Sequence, residues 1–353
     1  VIIVLVSLII VISAREINIF LKISLFTFVF ISMWGIGALL ESQHITIPPL
    51  FSASIGLILS AIIGIYICGR RQRQQKKFIS NAFSRYVSPE LLKELQRDPE
   101  NLKLGGEKRE ISLIFTDIAG FTGLSEEISP NILVGVLNKY LDGMSEIILR
   151  HGGAIDKYIG DAIMATFNAP NDCTEHPLHA VECALELDEF SQKFCDRSEL
   201  NGMNWGTTRI GVHTATAIVG NIGGSARFDY TSIGDAVNTA ARLEGINKLF
   251  GTRTCVSEAV VESCPDLHFR PIGELVLKGK TEVLKIYEPL KNSFTYMATY
   301  EEAYKALESG REECALEALT KIISKIRSDV LVEFHINRLK RGETGVLIKA
   351  LEK

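Results

Sequence analysis

Two aspartates in similar surroundings offer the plainest chemistry in this sequence: Asp117 in ISLIFTDIAGFTG and Asp161 in AIDKYIGDAIMATF. Ile111, Leu113 and Phe115 alternate with Ser112 and Ile114, a period-two pattern that reads as a buried strand ending at Asp117. Gly120, Phe121, Thr122 and Gly123 then form a turn ahead of a helix, so backbone N–H groups there can face an anion. Ile155 to Tyr158 and Ala162 to Phe167 read as two strands joined by a tight turn at Ile159-Gly160, and Asp161 leaves that turn. Carboxylates on adjacent strand ends can hold hard cations such as Mg²⁺ through oxygen, with triphosphate oxygens and water completing the shell. Taken singly, each aspartate also fits a commoner role, Asp117 in a turn or helix cap and Asp161 in a hairpin.

A second polar set lies downstream in YTSIGDAVNTAARL, Tyr230 to Leu243. On a helix, Ala236, Ala240 and Leu243 follow a packing face, whereas Asn238 and Arg242, four apart, fall together on one side. An amide and a guanidinium so spaced can hold a ribose oxygen and a phosphate, the arginine offering a rigid fork of donors. The competing role for Arg242 is a surface salt bridge with Glu244 or another acid.

Together and in this order, these motifs resemble the class III nucleotide cyclases over about Leu104 to Pro289. The resemblance implies conversion of ATP to 3′,5′-cyclic AMP and pyrophosphate, with two Mg²⁺ or Mn²⁺ ions held by Asp117, Asp161 and the backbone carbonyl of Ile118. It also implies that Asn238 orients the ribose and that Arg242 stabilises charge on the phosphorus. Backbone N–H groups of Phe121 and Thr122 would meet the phosphates, and Lys278 in LKGK, more than Lys280, would reach the terminal ones. Base selection in the family falls at Lys157 and Thr231. A lysine and a hydroxyl can donate to ring N1 and accept from a 6-amino group, the pattern of adenine. Guanylate cyclases carry Glu and Cys at these places, and many adenylate cyclases carry Asp instead of Thr231. The threonine form is typical of a subgroup in which bicarbonate responsiveness has been described. The family divides each site between two subunits, and since this one chain has both sets, a homodimer with two equivalent sites is expected. The alternatives are a guanylate cyclase, or a receptor or scaffold that binds nucleotide without turnover. One departure is Ala215, where the family has glycine after His-Thr; a positive φ there would strain alanine by about 1 kcal/mol. His213, alone at a strand end, reads as structural.

The elements expected to position these groups are helices over Pro130 to Leu149, Pro177 to Phe194 and Asp235 to Leu249. Strands are expected at Arg209 to Val212, Phe228 to Ile233, Thr252 to Val256, Phe269 to Leu277 and Val283 to Tyr287. This alternation predicts an α+β fold, a ferredoxin-like sheet of the split βαβ kind with helices on one face.

The net charge of -4 over 353 residues argues against a general nucleic-acid binder. The mean hydropathy of +0.17 comes largely from the N-terminal residues, where Val1 to Ala14, Ile17 to Leu40 and Pro49 to Cys68 are apolar runs. The second and third approach the ~20 residues a bilayer crossing needs, so residues 1–69 read as three spans, the first cut short. Arg70, Arg71, Arg73, Lys76 and Lys77 follow the third run, and the Glu41 to Pro48 loop has no Lys or Arg. That asymmetry orients the remainder toward the cytoplasm, as a multi-pass protein of the inner (plasma) membrane. Family members often carry an extracytoplasmic sensor ahead of such spans. Residues 70–103 read as a juxtamembrane segment, a signalling helix or equally a spacer, broken at Ser88-Pro89, with a linker from Asp98 to Glu107. They lead to a catalytic domain over 104–290 and a helical extension over 291–353, whose Thr299 to Ile326 resembles a single tetratricopeptide-like hairpin. Seven cysteines without a C-x-x-C pair read as free thiols.

Overall fold

The computed structural model describes residues 19–43, parts of 55–75, and 105–348 apart from 197–199, 201–202, 225–226, 277–282, 293 and 327. The chain divides into two compact units, Val1–Leu92 and Lys93–Lys353. In the first, helix α1 spans Ile19–Ser42 and coincides with the second expected span, although many of its side chains lie outside the described residues. The first expected span lies wholly outside them and the third is described only in part. No helix long and apolar enough to cross a membrane is found among the described residues.

The second unit is built on one nine-stranded sheet. Its strands are β1 (Gly105–Ile118), β2 (Ala154–Ile159), β3 (Ala162–Phe167), β4 (Thr208–Gly224), β5 (Arg227–Ile233), β6 (Thr254–Ser257), β7 (His268–Val276), β8 (Val283–Leu290) and β9 (Leu347–Ile348). The order is β2-β3-β1-β4-β6-β8-β7-β9, with β5 paired to β4. Strand β3 lies between β1 and β2 and runs antiparallel to both, which is the split βαβ arrangement. Helices α2 (Phe121–Glu127), α3 (Pro130–Arg150), α4 (His176–Cys195) and α5 (Asp235–Phe250) connect these strands, and α6 (Glu258–Ser263) follows β6.

Helices cover both faces of the sheet, not one as expected. Period two in β1 gives the reason: Ile114 and Ile118 pack with Tyr140, Met144 and Leu187 of α3 and α4. Ile111, Leu113 and Phe115 point the other way, against Ala236 and Ala240 of α5. A strand buried on both faces reads as a nearly continuous apolar run, which is what ISLIF is. Strand β1 also starts earlier than the linker reading allowed, because Gly105 to Glu110 pair with β4 from Asn221 back to Thr216.

Helix α5 lies very close to β4. A Cβ at Gly211 would stand 2.4 Å from the Ala240 carbonyl oxygen and 2.3 Å from the Glu244 nitrogen, so a side chain there would force α5 off the sheet. Beyond β8 come two consecutive helices, α7 (Met297–Glu308) and α8 (Glu312–Lys325), then α9 (Val330–Lys340) and the short β9, which joins β7 in parallel. The extension shares a core with the sheet: Leu319, Ile322 and Val332 pack with Leu243 and Phe250 of α5 and with Ile272 and Ile286. The six described cysteines are free thiols, in agreement with the sequence.

Candidate active site

Asp117 sits at the C-terminal end of β1, and Asp161 stands just before β3, which is paired to β1 through Thr116 and Ile163. The two carboxylates therefore meet at neighbouring strand ends. The Ile118 N–H donates to Asp161 Oδ2 at 3.1 Å, tying one aspartate to the strand that carries the other. Burial raises the Asp161 pKa; the backbone donors oppose the rise and the negative charge of Asp117 adds to it. That repulsion places the two acids within electrostatic reach of each other.

Two residues that the sequence reading did not assign to this cluster complete it. Arg209 is the cross-strand neighbour of Asp117 in the β1–β4 register, and its Nη2 pairs with Asp117 Oδ2. On its other side, Arg209 Nε lies 3.1 Å from Glu244 Oε1, close but not aligned as a hydrogen bond. Burial pushes Glu244 up to about 7; Arg209 opposes the rise, and the charges of Asp117 and Asp161 add to it. The signal that could have found this pair is register: a strand ending in Asp117 beside one beginning at Thr208 brings Arg209 opposite.

A third group forms elsewhere on the sheet. Thr231 of β5 donates its hydroxyl to Asp156 of β2, at 2.9 Å to Oδ1 and 2.7 Å to Oδ2, and the Ser232 N–H donates to Oδ2 at 3.1 Å. Lys157 Nζ lies 3.3 Å from Asp156 Oδ1. The structure thus brings Lys157 and Thr231 to one carboxylate that the sequence reading passed over. No ion pair or hydrogen bond among the described residues joins this group to the Asp117–Asp161 cluster.

Asn238 is exposed and Arg242 half-buried on α5. Arg242 and Glu244 are two residues apart, so a helix turns them to nearly opposite sides. Glu244 accordingly meets Arg209, and Arg242 makes no ion pair among the described residues. The salt-bridge role considered for Arg242 is not realised there. Gly120, with φ 76°, precedes α2 and allows the sharp entry that leaves the N–H groups of Phe121 and Thr122 in the first helical turn. The Phe121 ring stacks edge-on against Trp205 with centroids 6.0 Å apart. Lys278 and Lys280 lie outside the described residues.

Two further expectations meet plain outcomes. Ala215 is inside β4 opposite Ile111, and Asn168 is the only non-glycine residue with positive φ among the described residues, so the strain expected at Ala215 does not arise. His213 Nδ1 lies 2.8 Å from Ser257 Oγ within the buried sheet, a structural role.

No cluster of three or more His, Cys, Asp or Glu suited to a metal ion occurs among the described residues. The donor set at Asp117 and Asp161 still fits a magnesium-like ion. Such an ion takes oxygen from one or two carboxylates and leaves its other positions to water and substrate phosphates.

The catalytic-domain model of the adenylate and guanylate cyclases matches residues 106–297, more than half of the chain, and the chain belongs to that family. Adenylate cyclase 1 of Rhizobium meliloti (strain 1021) is 41% identical over 210 residues, covering 58% of this chain and 31% of that protein. The adenylate cyclase of Anabaena cylindrica is 37% identical over 219 residues, 60% of this chain and 42% of that protein. Among solved structures, the adenylyl cyclase CyaB from P. aeruginosa is 30% identical, with a TM-score of 0.50 over 54% of this chain and 98% of that one. The chain spans less than half the length of these two curated relatives.

Proposed function

We propose that this chain is an adenylate cyclase, joining the ribose 3′-oxygen of ATP to the α-phosphorus and releasing pyrophosphate. The observation that carries the reading is the meeting of Asp117 and Asp161 at neighbouring strand ends, where burial, with the charge of Asp117 added, raises the Asp161 pKa. Mg²⁺ or Mn²⁺ held by these carboxylates and the Ile118 carbonyl would supply a Lewis acid that lowers the 3′-hydroxyl pKa and neutralises the triphosphate. In the ring closure the 3′-O–Pα bond forms as the bond from Pα to the β-phosphate oxygen breaks. Arg242 meets the charge that develops on the phosphoryl oxygens, and Asn238 holds the ribose. The N–H groups of Phe121 and Thr122 receive phosphate, with Lys278 at its far end. Lys157 and Thr231 choose adenine over guanine.

Two copies of the chain build each site. Among the described residues the carboxylate cluster and the Lys157–Thr231 group share no hydrogen bond or ion pair within one protomer, which supports each facing its complement on a partner. Exposed Ile132, Val134, Ile159 and Ile218 supply apolar surface for such a contact. The N-terminal unit anchors the protein in the inner membrane with the catalytic unit in the cytoplasm. This is supported by the sequence, in which Ile17 to Leu40 and Pro49 to Cys68 are apolar runs and Arg70, Arg71, Arg73, Lys76 and Lys77 follow the later one. The test is complementation. Asp117→Ala and Arg242→Ala chains, each inactive alone, should regain cyclic AMP production when mixed, because one composite site in the heterodimer keeps both sets. No recovery from folded chains would overturn the shared site, and an inactive wild-type chain with ATP and Mn²⁺ would overturn the cyclase reading.

A further inference from the structure

We infer that Asp156 is a positioning residue that sets purine choice by fixing the direction of the Thr231 hydroxyl proton. The inference rests on the reading of Lys157 and Thr231 as the base-selecting pair.

The local backbone explains why Asp156 can act on both. The β2–β3 register slips between Ile155 and Lys157, where Ile155 faces Ala165 and Lys157 faces Met164, leaving Asp156 as the extra residue of a bulge. In a regular strand, neighbours point to opposite faces; a bulge re-aims them. Asp156 and its immediate neighbour Lys157 are thus in contact with each other, and Asp156 turns its carboxylate to β5.

An ionised carboxylate has no proton to give, so in the Thr231–Asp156 contact the hydroxyl must be the donor. A hydroxyl has one hydrogen, and Asp156 takes it. Thr231 Oγ1 is left with lone pairs only, an acceptor for any ligand that reaches it. That suits the 6-amino group of adenine and opposes the 6-oxo group of guanine, which brings a second acceptor. The same carboxylate, almost fully buried with 3% of its side chain exposed, holds the ammonium of half-exposed Lys157 as a donor suited to unprotonated N1 of adenine. Asp156 thereby sets an acceptor and a donor side by side without touching the base. The Ser232 N–H bond to Oδ2 keeps the carboxylate from rotating away.

Asp156→Asn tests this, because the amide keeps size and hydrogen-bonding capacity but can donate to Thr231 Oγ1. The hydroxyl proton is then released toward the base. Steady-state kcat/KM of the full chain would be compared for ATP and for inosine triphosphate, a 6-oxo purine without the 2-amino group. The ATP-to-inosine triphosphate ratio should fall about tenfold or more, mostly through KM, with the thermal unfolding midpoint little changed. Thr231→Val, which removes the acceptor, should lower the ratio as well, and Asp156→Asn in that background should add little. An unchanged ratio in Asp156→Asn, or equal losses for both nucleotides, would overturn the inference while leaving the cyclase reading intact. A wild-type chain that leaves ATP unreacted would instead remove the reading on which it rests.

Discussion

The carboxylate cluster at the β1–β3 strand ends and the Asp156 group between β2 and β5 are both built from acids and a base, yet they balance charge in opposite ways. In the first, Asp117 and Glu244 flank one arginine beside Asp161, and negative charge adds to the burial that raises the pKa of Asp161 and Glu244. In the second, one carboxylate accepts from a hydroxyl and an N–H and is ion-paired with an ammonium, so its charge is balanced inside the group. Surplus negative charge held by rigid strands is a place prepared for cations. A charge-neutral group with its protons assigned is instead a reading head for a ligand's own donors and acceptors.

The largest effect expected from breaking this contrast falls on activity. Asp161→Asn should lower cyclase kcat by ~10²–10³-fold, while the asparagine oxygen still accepts from Ile118 and the unfolding midpoint stays level or rises. A parallel loss of stability would show that Asp161 holds the fold together and does not merely wait for a cation. Next comes the counterion. Arg209→Ala should cost about 2 kcal/mol in denaturant unfolding, since it leaves Asp117 and Glu244 facing each other unpaired, whereas Lys157→Ala should cost less than about 1 kcal/mol because its ammonium is half-exposed. Equal costs would erase the distinction between the two groups.

The C-terminal core supplies the sharpest contrast in pH response, because its titrating group has no acid partner by hydrogen bond. His335 is buried among Tyr300, Tyr304 and Phe334, and burial lowers its pKa to about 3. Between that value and the ordinary 6.5, the unfolded chain takes up a proton that the folded chain refuses, so stability falls as pH falls. The loss should be about 2 kcal/mol between pH 7 and pH 5, and His335→Met should flatten that slope. A slope unaffected by the substitution would assign the acid sensitivity to other groups.

Much of the catalytic unit is legible in the sequence. The helix expected at Pro130 to Leu149 is Pro130–Arg150, and that at Asp235 to Leu249 is Asp235–Phe250, because amphipathic periodicity is a local property. Asp117 and Asp161 were legible because each ends an apolar run at a glycine turn. Asp156 was not, since a bulge leaves no mark in side-chain alternation short enough to be distinguished from a regular strand. The ISLIF run gave its hydrophobicity but not the number of helices packed on it, so the second covered face was missed.

Residue order alone determined which segments become strand or helix, that two acids are offered at turns, and that an amide and a guanidinium share a helical side. Those properties depend on neighbours a few positions away. Tertiary structure decided that Arg209 answers Asp117 and that Thr231 surrenders its proton to Asp156. It also decided that Glu244 meets Arg209 and that the C-terminal helices share a core with α5. Each of those depends on register and on which faces meet across many tens of residues, and pairing energies between distant strands are invisible to local pattern.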